Sequence, residues 1–239
     1  MVGSGTARCG EGGWSSGAAP DEVHGSAEES KMSRIAVLGT GEVGRTLARG
    51  LRGLGHSVCL GSRSGKAVEG WDGEAATFAE ALDGAEFAVL CVKGTAAEEL
   101  VTTLAPRLAG VTVLDTTNPI AEAAPTEGVL AYFTGPNESM MERLQHAAPE
   151  ARFVKAFNSV GAGLMVNPSF PGGTPTMFIC GDDQAARRTV AEMVAALGWD
   201  VEDMGAAAAA RAIEPLCVLW CIPGLRDGRW THAFKLLRP

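Results

Sequence analysis

The 239-residue chain predicts an α/β protein, a doubly wound and mainly parallel sheet carrying a smaller C-terminal α/β extension. Three observations predict it. Short apolar runs at residues 35–38, 57–60 and 87–92 lack polar alternation, as strands covered on both faces do. Stretches with helical spacing of apolar residues lie between such runs, giving the strand-helix alternation of an α/β fold. Gly39, Gly41 and Gly44 follow the first run directly, spaced G-x-G-x-x-G at a strand-to-helix turn.

The first unit is the most informative. After the strand at 34–38, Val43, Leu47, Leu51 and Leu54 recur on one helix face, with Glu42, Arg45, Arg49 and Arg52 on the opposite one. Gly55 and His56 end that helix, and residues 57–60 form the second strand. The whole fits in about thirty residues, the size of one βαβ unit. In such a unit the first glycine permits a tight turn, and the second leaves room for a pyrophosphate. The third lets helix and strand pack closely, and the helix N-terminus offers free N–H groups to the phosphates. Residues 39–44 (Gly39, Thr40, Gly41, Glu42, Val43, Gly44) therefore read as the dinucleotide loop of a Rossmann-type sheet.

The end of the second strand selects the nucleotide. An NAD site places Asp or Glu there to accept from the ribose 2′-hydroxyl. This chain has Ser62 and Arg63, with Lys66 close behind. A carboxylate repels a 2′-phosphate, whereas a hydroxyl and a guanidinium bind one through charge-assisted hydrogen bonds. The expected cofactor is NADP(H).

The later elements follow in order. Residues 71–77 hold a short strand, 78–82 a brief helix and 87–92 a buried strand. Thr95 and Glu98 stand at capping-box spacing before a helix that turns Leu100, Val101, Leu104 and Leu108 inward. A strand at 111–115 runs into the polar turn 116–119, where Pro119 stops the sheet. Ligands of open parallel sheets bind beyond the carboxyl ends of strands, where Val92, Lys93, Asn118 and Pro119 fall. Asn118 is a candidate for the nicotinamide side; a turn asparagine bonding its own backbone explains it equally well. Residues 120–136 read as loop, 137–148 as helix and 152–156 as strand, with Asn158 just past that strand's end. Beyond the Pro- and Gly-rich loop 167–175 come a strand at 176–180 and a cap at 181–183. A helix with Ala186, Val190, Met193, Val194 and Leu197 on one face follows, then a strand at 199–203. An alanine-rich helix starts near Gly205, and Pro215 interrupts it.

Composition bounds the rest. A formal charge of −8 argues against a nucleic-acid surface. The six cysteines form no CxxC pair, and Cys59, Cys91 and Cys180 sit in apolar runs as core thiols, which suits a reducing cytoplasm. The four histidines lack metal-ligand spacing, so no metal is expected. The most apolar late segment, 205–225, carries Arg211, Glu214 and Pro215, and no membrane span is expected from it. Residues 1–31, rich in Gly, Ser and Ala, read as a disordered leader or as translation from too early a start. Removing them is expected to leave cofactor affinity unchanged. The expected domains are thus the leader 1–31, a nucleotide-binding domain 32–170 and an extension 171–239.

Taken together, GTGEVG at 39–44, GSR at 61–63, LDTTNP at 114–119, VKAFNSVG at 154–161, TMFICGDD at 176–183, ARAIEPL at 210–216 and HAFKLL at 232–237 form a recognisable series. The chain resembles the NADP oxidoreductases that use the deazaflavin coenzyme F-420, the NADPH-dependent deazaflavin reductases and their bacterial relatives. The resemblance runs from Arg34 to the C-terminus. It implies that Thr40 and the loop glycines cradle the pyrophosphate and that Ser62, Arg63 and Lys66 hold the 2′-phosphate. It also implies that Asn118 and Asn158 line the nicotinamide end, and that the C-terminal part closes the cleft over the ring. Similar cofactor domains occur in membrane ferric reductases, and this sequence shows no membrane part to accompany one.

Hydride transfer between a nicotinamide and a flavin-like ring needs two rings held face to face, with the cofactors carrying the electronic work. The expectation is hydride transfer between NADP(H) and a small-molecule acceptor, a deazaflavin or related ring, and a homodimer by base rate. An imine or carbonyl reductase would want a proton donor, for which Lys155, Tyr132 and His232 are candidates. Each has a plainer reading: a strand-end charge, a loop anchor and a helix or tail contact. The third alternative is an NADP(H)-binding redox sensor without turnover.

Overall fold

The computed structural model of the chain describes residues 33–239, and the expected leader lies outside the described residues. Six strands form one sheet in the order β3-β2-β1-β4-β5-β6, every neighbouring pair parallel. They are β1 (Arg34–Leu38), β2 (Ser57–Ser62), β3 (Glu74–Thr77), β4 (Phe87–Leu90), β5 (Thr112–Asp115) and β6 (Arg152–Lys155). This is the doubly wound order, with its switch point between β1 and β4. A second, two-stranded parallel sheet joins β7 (Thr176–Ile179) to β8 (Asp200–Asp203). The expected boundary at 170/171 lies in the segment between β6 and β7, and the described residues pack as one compact unit.

The unbroken apolar runs have a direct cause. Ile35, Val37 and Val89 point into one core layer, and their neighbours Ala36, Leu38, Ala88 and Leu90 into the other. Both faces of β1 and β4 are covered, so the positions between their ends are apolar on either side. Helix α1 (Glu42–Gly53) covers the first layer with Leu47, Ala48 and Leu51, and Gly55 at φ +91° turns the chain back into β2. Helices α2 (Phe78–Ala81), α3 (Gly94–Leu108) and α4 (Met140–Ala147) cover the second, and α5 (Gln184–Ala196) bridges β7 and β8 to the first.

One expectation fails in detail. Thr95 and Glu98 do not form a capping box: α3 begins at Gly94, its N-cap is Lys93, and no side chain caps it. Residues 91–93 lead from β4 into the helix, whose first residue must be glycine because a Cβ on Gly94 would lie 2.0 Å from the Asn118 carbonyl oxygen. Capping boxes stand instead at Thr77 with Glu80 and at Ser139 with Glu142.

The C-terminal helical run is broken where Pro215 predicts. A 3-10 turn leads into α6 (Ala210–Ile213), and α7 (Pro215–Asp227) follows after Glu214. Taken as one helix, Ala207–Asp227 has 21 residues, and an 18-residue window within it has a mean hydropathy of 1.4, long and apolar enough to cross a membrane by length and composition. The sequence reading set this segment aside for its Arg211, Glu214 and Pro215, and length and composition alone do not decide between a membrane span and a helix packed on the protein. One face of α7 buries Cys217, Trp220 and Gly224, while Leu219 on another remains 55% exposed.

Candidate functional site

At the tip of β1 each loop glycine meets a different demand. Gly39, at φ +135°, donates its N–H to the Gly61 carbonyl, and a Cβ there would lie 2.5 Å from the Cys91 carbonyl oxygen. A Cβ on Gly44 would lie 2.1 Å from the Gly39 oxygen, so helix and loop touch backbone to backbone. Gly41 is the opposite case, with nothing within 4 Å of a Cβ. It is the N-cap of α1, and no side chain caps the first-turn amides. Arg45 Nη1 donates to the Thr40 carbonyl at 2.8 Å and pins the loop's crest. Glu42 stands exposed in the first turn, and Val43 faces the adjoining cleft. Backbone donors around a space that only glycine leaves open are a fitting cradle for a pyrophosphate.

The tip of β2 lies beside this loop. Ser62 Oγ accepts from the Gly65 amide at 3.0 Å and closes a turn that presents Arg63 and Lys66 outward. Both cations are exposed, and neither side chain has a hydrogen-bond or ion-pair partner among the described residues. Paired arginines elsewhere, such as Arg34 on Glu74 and Arg52 on Asp72, show the contrast.

The ends of β4 and β5 enclose a cleft of about 390 Å³. Val43, Cys91, Val92, Lys93, Thr116, Thr117, Asn118 and Ile120 line it, with Glu122 at its rim. Lys93 and Glu122 are exposed, and burial pushes the Cys91 thiol up to about 12, so it stays protonated. Pro119 is buried behind Asn118. The structure brings the two predicted asparagines together. Asn118 Nδ2 donates to the Asn158 carbonyl at 2.8 Å, and Asn158 Nδ2 approaches Asn118 Oδ1 at 3.3 Å. Asn158 itself is only 4% exposed and is not among the residues lining the cleft.

Beneath the asparagines lies a group that sequence reasoning missed. Lys155, wholly buried, sits 2.6 Å from Asp115 Oδ2 and 2.9 Å from Glu214 Oε1, and donates to the Thr117 carbonyl at 2.7 Å. The Glu214 carboxylate also accepts from the Met140 and Met141 amides at the start of α4, at 2.8 and 3.0 Å. Burial alone would lower the lysine's pKa, but the two carboxylates outweigh it and raise it. Lys155 is therefore a saturated internal cation, which corrects its reading as a strand-end charge. The register that pairs Asp115 with Lys155 across β5 and β6 was the available signal; Glu214, far along the chain, had none beyond its motif.

The other candidate acids are also tied. The Tyr132 hydroxyl donates to the Glu214 carbonyl at 2.7 Å and lies 3.3 Å from Asn118 Oδ1. Burial, reinforced by Cys217 and Glu214, pushes its pKa upward and keeps the phenol protonated. His232 stacks on Trp220 with ring centroids 5.0 Å apart and meets the Trp220 carbonyl through Nε2 at 3.0 Å, a tail contact. Among the described residues no three His, Cys, Asp or Glu side chains gather as metal ligands.

The sheet order, the open glycine cradle and the adjoining cleft define a dinucleotide-dependent oxidoreductase. A sequence model of the family described as NADP oxidoreductase, coenzyme F420-dependent, matches residues 34–119. A solved structure from Arthrobacter sp. FB24, provisionally assigned as an F420-dependent NADP-reductase, is 34% identical with a TM-score of 0.78, covering 86% of this chain and 100% of its own. Metalloreductase STEAP3 of Rattus norvegicus is 35% identical over 200 residues, which is 80% of this chain and 38% of that protein. The chain thus spans well under half the length of that curated relative. A reductive aminase of Aspergillus terreus in complex with NADPH4, cyclohexanone and allyl amine shares the fold, with a TM-score of 0.56 at 22% identity over 82% of this chain and 63% of its own. The chain belongs to the NADP oxidoreductase, coenzyme F420-dependent, family, and is an NADP-dependent oxidoreductase.

Proposed function

We propose that the chain transfers hydride between NADP(H) and a deazaflavin or related ring acceptor, a small molecule bound over the cleft. The loop 39–44 and the α1 amides hold the pyrophosphate, while Arg63 and Lys66 clasp the 2′-phosphate. Ser62 shapes the turn that presents them. Val92, Lys93, Asn118 and Pro119 form the nicotinamide end, with Asn158 behind Asn118. When bound, the nicotinamide supplies or takes the hydride. The protein's part is to align two rings and keep water from between them.

The observation that carries the acceptor class is the character of the cleft wall. Its interior offers apolar, hydroxyl and amide groups, its charges, Lys93 and Glu122, stand exposed at the rim, Lys155 and His232 are engaged elsewhere, and the Tyr132 hydroxyl, behind Asn118, gives its hydrogen to the Glu214 carbonyl. A ring that takes hydride without a protein-held proton suits such a wall better than an imine or carbonyl, whose reduction wants an acid beside it. The reading places the chain in a reducing cytoplasm, where the free cysteines remain thiols, with no nucleic-acid partner.

The test mixes purified protein, NADPH and oxidised deazaflavin and follows both chromophores. Matched loss of the two is the expected result. Tight NADPH binding without deazaflavin turnover, but with turnover of an imine or ketone, would transfer the assignment to the reductase reading. Binding without hydride loss to any acceptor would leave a redox sensor. A ferric chelate joins the acceptor panel because the rat relative is named a metalloreductase.

A further inference from the structure

The break between α6 and α7 reaches the cleft wall through an unusual set of bonds. In a continuous helix the Ile213 carbonyl would accept from the Cys217 amide. Here Cys217 donates to the Glu214 carbonyl instead, at 2.9 Å, and the Ile213 oxygen accepts from Asn158 Nδ2 at 3.0 Å. The Glu214 carbonyl takes the Tyr132 hydroxyl as well, and that hydroxyl leans on Asn118 Oδ1 in the cleft. From below, Lys155 joins the Glu214 carboxylate to the Thr117 carbonyl, one residue from Asn118. The chain before Asn158 is bent to suit. Phe157 is buried at φ +58°, a conformation costly for a bulky residue and held only where its surroundings over-determine it.

We infer that this break, centred on Glu214, is a positioning device for the hydride-transfer end of the cleft. Tyr132 and Asn158 fix the orientation of Asn118, and the buried ion cluster fixes the break. The inference rests on the assignment of the nicotinamide end proposed above. It predicts a division of labour, in which the β2 tip sets affinity and the break sets ring alignment.

The test uses the full chain, calorimetry for NADPH affinity, and the nicotinamide's own fluorescence in the saturated complex. Tyr132→Phe removes only the hydroxyl. Its NADPH dissociation constant should stay within about twofold of wild type, while the bound nicotinamide emission moves toward that of free NADPH and kcat falls about tenfold, the worth of one hydrogen bond. Asn158→Ala should divide the two readouts the same way. Arg63→Ala should show the reverse, with weaker binding and unaltered emission at saturation. A merely structural tie would lower the melting temperature of Tyr132→Phe and leave emission and kcat alone, which overturns the inference. Failure of wild-type protein to bind NADPH would instead overturn the functional proposal, and this inference with it.

Discussion

Arg63→Ala offers the most direct quantitative check on the nucleotide site. The Arg63 side chain is exposed, and among the described residues it has no hydrogen-bond or ion-pair partner, so the folded protein loses no internal bond with it. The melting temperature should therefore be unchanged. A charge-assisted hydrogen bond is worth about 1.5–3 kcal/mol. At about 1.4 kcal/mol per tenfold, NADPH affinity should drop by about 10- to 100-fold. NADH has no 2′-phosphate and should lose almost nothing, so selectivity falls by the same factor. Arg63→Lys keeps the charge but not the planar fork, and its loss should be intermediate. The site is open to solvent, so the effect should shrink as salt is raised. Isothermal calorimetry with both nucleotides at low and moderate ionic strength decides the matter. Equal losses for NADPH and NADH, or no loss for NADPH, would refute phosphate recognition by Arg63.

The loop glycines should separate folding from binding. Gly44→Ala places a carbon 2.1 Å from the Gly39 oxygen and should lower both the melting temperature and NADPH affinity, whereas Gly41→Ala meets open space and should lower affinity alone. Lys155→Met leaves two buried carboxylates without their cation and should cost about 3–5 kcal/mol in denaturant unfolding. Because the folded-state pKa of Lys155 is raised, its stabilisation is complete below its ordinary value of 10.5 and is lost as pH rises through the higher folded value. The stability gap between wild type and Lys155→Met should accordingly be flat near neutrality and narrow only in strong alkali. Ser139→Ala removes half of the capping box on α4 and should cost about 1 kcal/mol, read from the shift in urea midpoint.

The parts legible in the sequence were those governed by local chemistry. Residues 35–38 and 87–92 announced buried strands because both faces of the sheet are covered. Gly39, Gly41 and Gly44 announced a loop because each spacing answers a separate steric demand. Pro215 announced the break because it has no N–H to give. The Thr95–Glu98 box misled because the same spacing arises inside a helix once tertiary contact at Gly94 sets the start two residues earlier. Lys155 was misplaced for a different reason. Its burial depends on Asp115 from a neighbouring strand and on Glu214 from another element, and no window along the chain contains all three. The asparagines fell between these cases: their positions at strand ends were visible, but not the bonds that couple them.

The glycine loop at 39–44 is braced by the protein's own bonds. Its first amide is bonded into β2, its backbone rests on the end of β4, and its crest is tied down by Arg45. Capture of a nucleotide then demands little new ordering of the chain, so most of the contact energy at the phosphates remains available as affinity. The Gly39 amide should exchange slowly with deuterium even in nucleotide-free protein, as befits a mould already set.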